Sequence, residues 1–332
     1  MINAQSLKFA LVGCGYIGKR HAAMIEQHPA CELTALIDPD QNNFLCSQHT
    51  HISRFASLGE YFNKNGDADI IVIATPNGTH AELALEALGH RKHVLIEKPM
   101  ALTANDAGAI VKKAEEVNRK VMVVLQNRYS PVSKWLKDVV QSGVLGQLFY
   151  VQTNCFWNRD ERYYKKGSWH GTSDLDGGTL FTQFSHFLDT LYWLFGDMYN
   201  IKSRLYNFRH QHLTDFEDTG IITFEFKGGG TGSFNFSTAA WDKNTESSIT
   251  IIAEHGSIKV SGQYMNSLEY CHIRNYTPPV FEPPLKDNHY YILDEMVTAI
   301  KQDEPTNVKD GQYVVSLIET MYAKAKQYLL HS

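Results

Sequence analysis

Apolar residues in the first third of the chain fall into short, nearly continuous blocks. Residues 8–12, 32–37, 70–74, 93–96 and 120–125 are rich in Val, Ile and Leu and stop at turn-forming residues. Blocks this short, without helical spacing, read as strands buried on both sides. Between them, residues 17–27, 79–88 and 104–118 carry apolar positions at the spacing of one helix face. Strands alternating with amphipathic helices predict a parallel sheet covered on both faces, an α/β domain over residues 1–125.

Beyond residue 126 the texture changes. A short helix is expected over 131–142, then a strand over 147–156, and further alternating runs at 220–226, 231–238, 248–253 and 257–260. Lys227-Gly228-Gly229-Gly230 and Glu254-His255-Gly256 supply turns between neighbours, the arrangement of antiparallel pairing. Residues 180–195 are apolar and aromatic at helical spacing and should be core. Two helices, 289–301 and 311–330, close the chain around Pro305. The pattern predicts a C-terminal α+β domain over 126–332 with a large, mainly antiparallel open sheet.

Composition narrows the setting. The formal net charge is −5 with no basic block, which argues against nucleic acid as the main partner. No apolar run approaches the roughly 18 residues of a membrane span, and the start lacks a charged-then-apolar leader pattern. Cys14, Cys31, Cys46, Cys155 and Cys271 are scattered without a C-x-x-C, so neither a disulfide framework nor a zinc site is expected. The expected setting is cytoplasmic. His210-Gln211-His212 with Asp215 and Asp218 reads as a solvated loop, and no metal is expected. Acyl- and phosphoryl-transfer signatures are absent.

Candidate chemistry starts at Gly13-Cys14-Gly15-Tyr16-Ile17-Gly18, directly after the first strand. Gly13 permits the tight turn, Gly15 lets a pyrophosphate approach the backbone, and Gly18 lets helix and strand pack closely. The N–H groups of the helix start, with the helix dipole, then face the phosphates. Asp38 follows Gly18 by twenty residues, where an acid meets a ribose 2′-hydroxyl, and the next residue is Pro39 and not an arginine. NAD is the expected cofactor. Ligands of such sheets bind beyond the carboxyl ends of the strands. The loops there bring Thr75, Pro76, Asn77, His80, Glu97, Lys98 and Gln126 to the expected cofactor site, beside Tyr16 and Ile17 of the helix start. Lys98 could exchange a proton with a substrate hydroxyl, or be an ordinary solvated lysine. On a regular helix Thr182, His186 and Asp189 would share a face. On the residues alone, His186 reads first as a structural histidine held by Asp189.

Taken together, Gly13-x-Gly15-x-x-Gly18, Ala74-Thr75-Pro76-Asn77-x-x-His80, Glu97-Lys98-Pro99 and Gly177-Gly178…His186-x-x-Asp189 resemble the glucose–fructose oxidoreductase / inositol dehydrogenase / rhizopine-catabolism (Gfo/Idh/MocA) family, in order and over nearly the whole chain. The resemblance implies a Rossmann domain, then a domain whose open sheet commonly joins homodimers or homotetramers. It also implies that Lys98 and His186 flank the substrate carbon next to the nicotinamide, and that Pro99 is a cis proline. One position departs. Family members usually carry an aspartate where this chain has Thr182. The branch that oxidises UDP-N-acetylglucosaminuronic acid at C3 also tends to lack it, and Gln126–Pro131 and Arg159…Tyr163-Tyr164…Ser168-Trp169 are similar to that branch. A uronate carboxylate needs a cation, for which Arg159 is the first candidate and Arg128 the second. The competing reading of Arg159 is an exposed ion pair with Asp160 or Glu161. Tyr163, Tyr164, Trp169, Thr182 and Gln183 complete the expected substrate pocket with Lys98 and His186. Rival activities on the same fold are a free-sugar or polyol dehydrogenase, an NAD-dependent glycosidase and a non-enzymatic sensor.

Overall fold

The structure is a computed structural model that describes residues 6–46, 52–284 and 286–327. It divides into two compact units, Met1–Val124 with His289–Val315, and Leu125–Asn288 with Ser316–Ser332.

In the first unit, β1 (Leu7–Val12), β2 (Cys31–Ile37), β3 (Ser53–Phe55), β4 (Ile70–Ile73), β5 (His93–Ile96) and β6 (Val121–Val123) form one sheet in the order β3-β2-β1-β4-β5-β6. Every pair is parallel. The strand order reverses between β1 and β4, the switch point where such sheets bind ligands. Ile70, Ile71, Val72 and Ile73 are completely buried, as strands covered on both faces must be. The helices are α1 (Tyr16–Gln27), α2 (Leu58–Asn63), α3 (His80–Gly89) and α4 (Ala104–Val117). Thr103 caps α4 by accepting from Asp106 N. The three-residue β3 and the one-and-a-half-turn α2 were too short to register as patterns.

The expectation that everything after 126 forms one domain is corrected by the segment His289–Val315, which joins the first unit. The reason lies at the free edge of β6. There the Asn307 side chain accepts from Val123 N and donates to Val123 O, both at 2.8 Å, standing in for a missing neighbour strand.

In the second unit, α5 (Pro131–Gln141) is followed by β7 (Leu148–Phe156), a π-helical turn at Leu180–Phe184, and α6 (Ser185–Phe195). Then come β8 (Met198–Tyr206), β9 (Thr219–Phe226), β10 (Thr231–Ser237), β11 (Glu246–Ala253), β12 (Gly256–Ser261) and β13 (Ser267–Ile273). After α7 (Asn288–Gln302) and α8 (Val308–Ala323), β14 (Ala325–Gln327) ends the described chain. The sheet runs β13-β12-β11-β7-β10-β9-β8-β14 and is mainly antiparallel; β7–β10 and β8–β14 are its parallel pairs. On β9, Ile222, Phe224 and Phe226 are buried while Ile221 faces out at 50% exposure, so one face is core and the other open. Phe184 packs against Phe236 at 5.3 Å, which seats the π turn on the core face. The expected helix 311–330 instead stops at Ala323 and gives way to β14, and residues 328–330 lie outside the described residues.

Candidate active site

The glycine turn is built as its spacing requires. Gly13 has φ +89°, and a Cβ there would meet Ala74 O at 2.5 Å. A Cβ on Gly18 would come within 1.9 Å of Gly13 O, so helix and turn touch only because this residue has no side chain. Gly15 caps α1 without a side-chain hydrogen bond, and a Cβ there would meet nothing within 4 Å. Open space above uncapped helix N–H groups is what a pyrophosphate needs. Tyr16, the first residue of α1, is 84% exposed beside it.

Asp38 is tied into this turn. Its Oδ2 accepts from Cys14 N at 2.7 Å, and its Oδ1 accepts from Asp40 N at 2.8 Å and Asn43 Nδ2 at 3.0 Å. The carboxylate is thus held at the end of β2 by three donors. Burial, reinforced by Asp38, pushes the Cys14 thiol up to about 12, so this cysteine is inert packing within the turn.

Two further strand-end loops are locked together by His80. Its Nδ1 lies 2.7 Å from Pro99 O and its Nε2 2.9 Å from Thr75 O. Burial pulls the imidazole pKa down and outweighs the upward pull of the two carbonyls. His80, expected at the cofactor, is packed between the Thr75 and Pro99 carbonyls and, as a neutral ring with one N–H, donates to one of them. The Lys98–Pro99 peptide is cis. Burial would raise the Glu97 carboxyl, but His21, whose Nε2 lies 2.7 Å from Glu97 Oε1, overrides it and brings the carboxyl to about 2. Glu97 stays ionised, and its Oε2 accepts the Lys98 N–H at 3.2 Å. His21 was missed in the sequence because no local pattern links residues 76 positions apart.

In the second unit, the π turn at Leu180–Phe184 takes Thr182 out of the expected regular helix, while His186 and Asp189 keep their i, i+3 spacing on α6. Thr182 Oγ1 donates back to the Asp176 carbonyl at 2.9 Å and to its carboxylate. Asp189 is completely buried and takes the Arg128 fork, from Nε at 2.9 Å and Nη2 at 2.5 Å. Arg128 is thereby neutralised within the protein, so it loses its standing as a carboxylate receptor. His186, 8% exposed, is oriented by Gln126, whose Nε2 lies 2.9 Å from its Nε2. Gln126, expected at the cofactor, meets His186 through Nε2 and has its Oε1 buried with no hydrogen-bond partner among the described residues.

Arg159 forms the centre of the second cluster. Its Nε donates to Gln183 Oε1 at 2.8 Å and its Nη1 to Asn158 O at 2.6 Å. The guanidinium lies over the rings of Trp157 at 4.8 Å and Tyr163 at 5.0 Å. Gln183 turns its other end to Tyr163, donating to the hydroxyl at 2.8 Å. The expected pair with Asp160 does not form, since Asp160 takes Arg162 at 2.8 Å. Among the described residues no carboxylate reaches Arg159, and burial pulls its pKa down. Tyr164 is buried against Tyr163, edge to face at 5.0 Å, and Trp169 stacks on His170 at 3.8 Å. The 210–218 loop is solvated only in part: Gln211, His212 and Asp215 are exposed, as expected, but His210 and Asp218 are not. His210 is 1% exposed, and Asp218 is buried with its Oδ2 accepting the N–H groups of Phe208, Arg209 and His210.

The parallel sheet, its switch point and the glycine turn with Asp38 define an NAD-binding oxidoreductase. Residues 7–125 match the family described as the GFO/IDH/MocA oxidoreductase family, NAD-binding Rossmann fold, and residues 134–259 match the GFO/IDH/MocA C-terminal domain. The chain belongs to this family. The solved WlbA dehydrogenase of Bordetella pertussis, in complex with NADH and UDP-GlcNAcA, superposes with a TM-score of 0.87 at 30% identity, over 96% of each chain. An uncharacterised oxidoreductase of Streptococcus pneumoniae is 29% identical over 224 residues, 66% of this chain and 59% of that protein. A 2,7-anhydro-N-acetylneuraminate hydratase of Escherichia coli is 26% identical over 272 residues, 77% of this chain and 71% of that protein.

Proposed function

We propose that the protein is a dehydrogenase that oxidises a ring carbinol of a nucleotide-linked hexuronate, with C3 of a UDP-N-acetyl-hexuronate the first choice. The observation that carries this reading is Arg159, a guanidinium clasped by two aromatic rings and an amide, with no carboxylate of its own among the described residues. A partly buried cation left without a carboxylate favours one from the substrate, and with Nε and Nη1 donating to protein oxygens, Nη2 is the nitrogen left to donate to a uronate. The relative crystallised with UDP-GlcNAcA supports the same substrate class.

NAD, when bound, supplies the hydride acceptor. Lys98 and His186 are the proposed acid–base residues, one of them taking the proton of the hydroxyl being oxidised. Asp38 and the start of α1 hold the ribose and pyrophosphate. Tyr163, Tyr164, Trp169, Thr182 and Gln183 shape the sugar pocket. The open face of the eight-stranded sheet is the proposed homodimer or homotetramer contact. No helix among the described residues is long and apolar enough to cross a membrane, and a cytoplasmic setting is proposed.

Competing steady-state assays with a UDP-hexuronate and its UDP-hexose test the reading. Loss of a charge-assisted contact costs about 1.5–3 kcal/mol, so the uronate should be preferred roughly ten- to hundredfold. Arg159→Leu should erase most of that preference and spare NAD affinity, and Arg159→Lys should restore it only in part. A wild type that prefers the hexose or a free polyol removes the uronate assignment. A second reading is the NAD-dependent glycosidase on the same fold, in which NAD is reduced and reoxidised within one turnover. Accumulating NADH in step with product excludes it.

A further inference from the structure

Behind the turn that carries Gln183 lies a second buried polar cluster. The Tyr322 hydroxyl, on α8, donates to Glu217 Oε1 at 2.7 Å and accepts the Leu180 N–H at 3.3 Å. Thr179 Oγ1 donates to the Glu217 carbonyl at 2.6 Å. Leu180 begins the π turn, and N–H groups at a helix start have no partner within the helix. The phenol, backed by the carboxyl, supplies that partner. It also explains Gly178. Gly178 has φ +122°, and a Cβ there would come within 2.2 Å of the Tyr322 oxygen. The Tyr322 ring stacks on Phe181 at 5.9 Å, which holds the phenol in place.

We propose that Glu217 and Tyr322 are positioning residues that set the start of the π turn, and through it the aim of Gln183 and His186 at the substrate. This rests on the substrate roles proposed above for those two residues. Neither Glu217 nor Tyr322 belongs to the set that touches substrate. The titratable groups facing Glu217 are the Tyr322 phenol and the Asp176 carboxylate. Burial raises the Glu217 carboxyl to about 7 against the downward pull of Tyr322, and Asp176 adds to the rise. The cluster therefore changes charge near neutrality, and the turn it holds should respond.

Tyr322→Phe keeps the ring and deletes the hydroxyl; Glu217→Gln keeps shape and acceptor but cannot ionise. Both are assayed with NAD and the UDP-hexuronate across the neutral range, beside melting curves. Tyr322→Phe should lose about tenfold or more in kcat with NAD affinity unchanged. Glu217→Gln should keep most of its kcat on the acid side and lose an ionisation near neutrality that the wild type shows. Wild-type kcat, KM and pH profile in both folded variants overturn the proposal. Where Tyr322→Phe melts early, the Glu217→Gln profile decides alone. Where the wild type leaves the UDP-hexuronate untouched, the substrate reading fails and the pair is judged on the free enzyme. There the His186 ring-nitrogen resonances, assigned through His186→Asn, should follow the Glu217 ionisation in wild type and not in Glu217→Gln. Identical titrations overturn it.

Discussion

Asp38 couples cofactor choice to the glycine turn through a single carboxylate. In the role proposed for it, the carboxylate that accepts the Cys14 N–H would also take the ribose 2′-hydroxyl, and its charge would repel a 2′-phosphate. NAD should bind more tightly than NADP, and Asp38→Ala should narrow the gap; equal wild-type affinities by titration would contradict this. Lys98 and His186 are held differently, one by the loop that His80 and Glu97 fix, the other by Gln126. Lys98→Ala and His186→Ala should each cut kcat by at least about 10² with NAD affinity nearly unchanged. Near-wild-type turnover of either variant would strike that residue from the acid–base pair.

Between elements, the Arg128–Asp189 fork joins the turn after residue 125 to α6, and both side chains are at most 10% exposed. Removing one partner of a buried pair typically costs about 3–5 kcal/mol, because the other charge stays desolvated. Asp189→Ala should lower the melting temperature far more than an exposed pair such as Lys227–Asp197, both of whose side chains exceed a third exposure. The Glu217 carboxyl adds a pH dependence with a definite sign. Its folded pKa, near 7, lies above the ordinary 4.5, so the protonated form favours folding. That contribution is complete below about pH 4.5 and is lost as pH rises through 7. Relative to Glu217→Gln, the wild type should lose on the order of 3 kcal/mol across this window. Parallel stability–pH curves for the two proteins would refute it.

Across the whole molecule, the open face of the second sheet is where assembly should be read. Ile221 is half exposed there opposite Arg204 of β8, and Tyr150 and Ser233 hydrogen-bond to each other at 2.8 Å. If homo-oligomers form on that face, Ile221→Arg should shift sedimentation toward the monomer while leaving NAD affinity intact. An unchanged mass would move the contact elsewhere.

The nucleotide-binding unit was legible in the sequence because its signals are local. Each buried strand is a block of aliphatic residues, each helix a periodic run, and the glycine positions and Asp38 are fixed by backbone geometry within one β-α-β stretch. The alternation on β9 and β10 announced the second sheet for the same reason. What the sequence could not give were pairings between residues far apart in the chain. Asn307 completes β6, His21 holds Glu97, Asp189 chooses Arg128 over His186, and Tyr322 reaches Glu217 across 105 positions. The regular helix expected through Thr182 failed because Thr182 lies inside a π turn, which side-chain spacing does not announce. Local propensity determines where strands, helices and turns form; a buried charge or orphaned N–H takes whichever partner the packed chain brings within reach, and only the tertiary structure decides that.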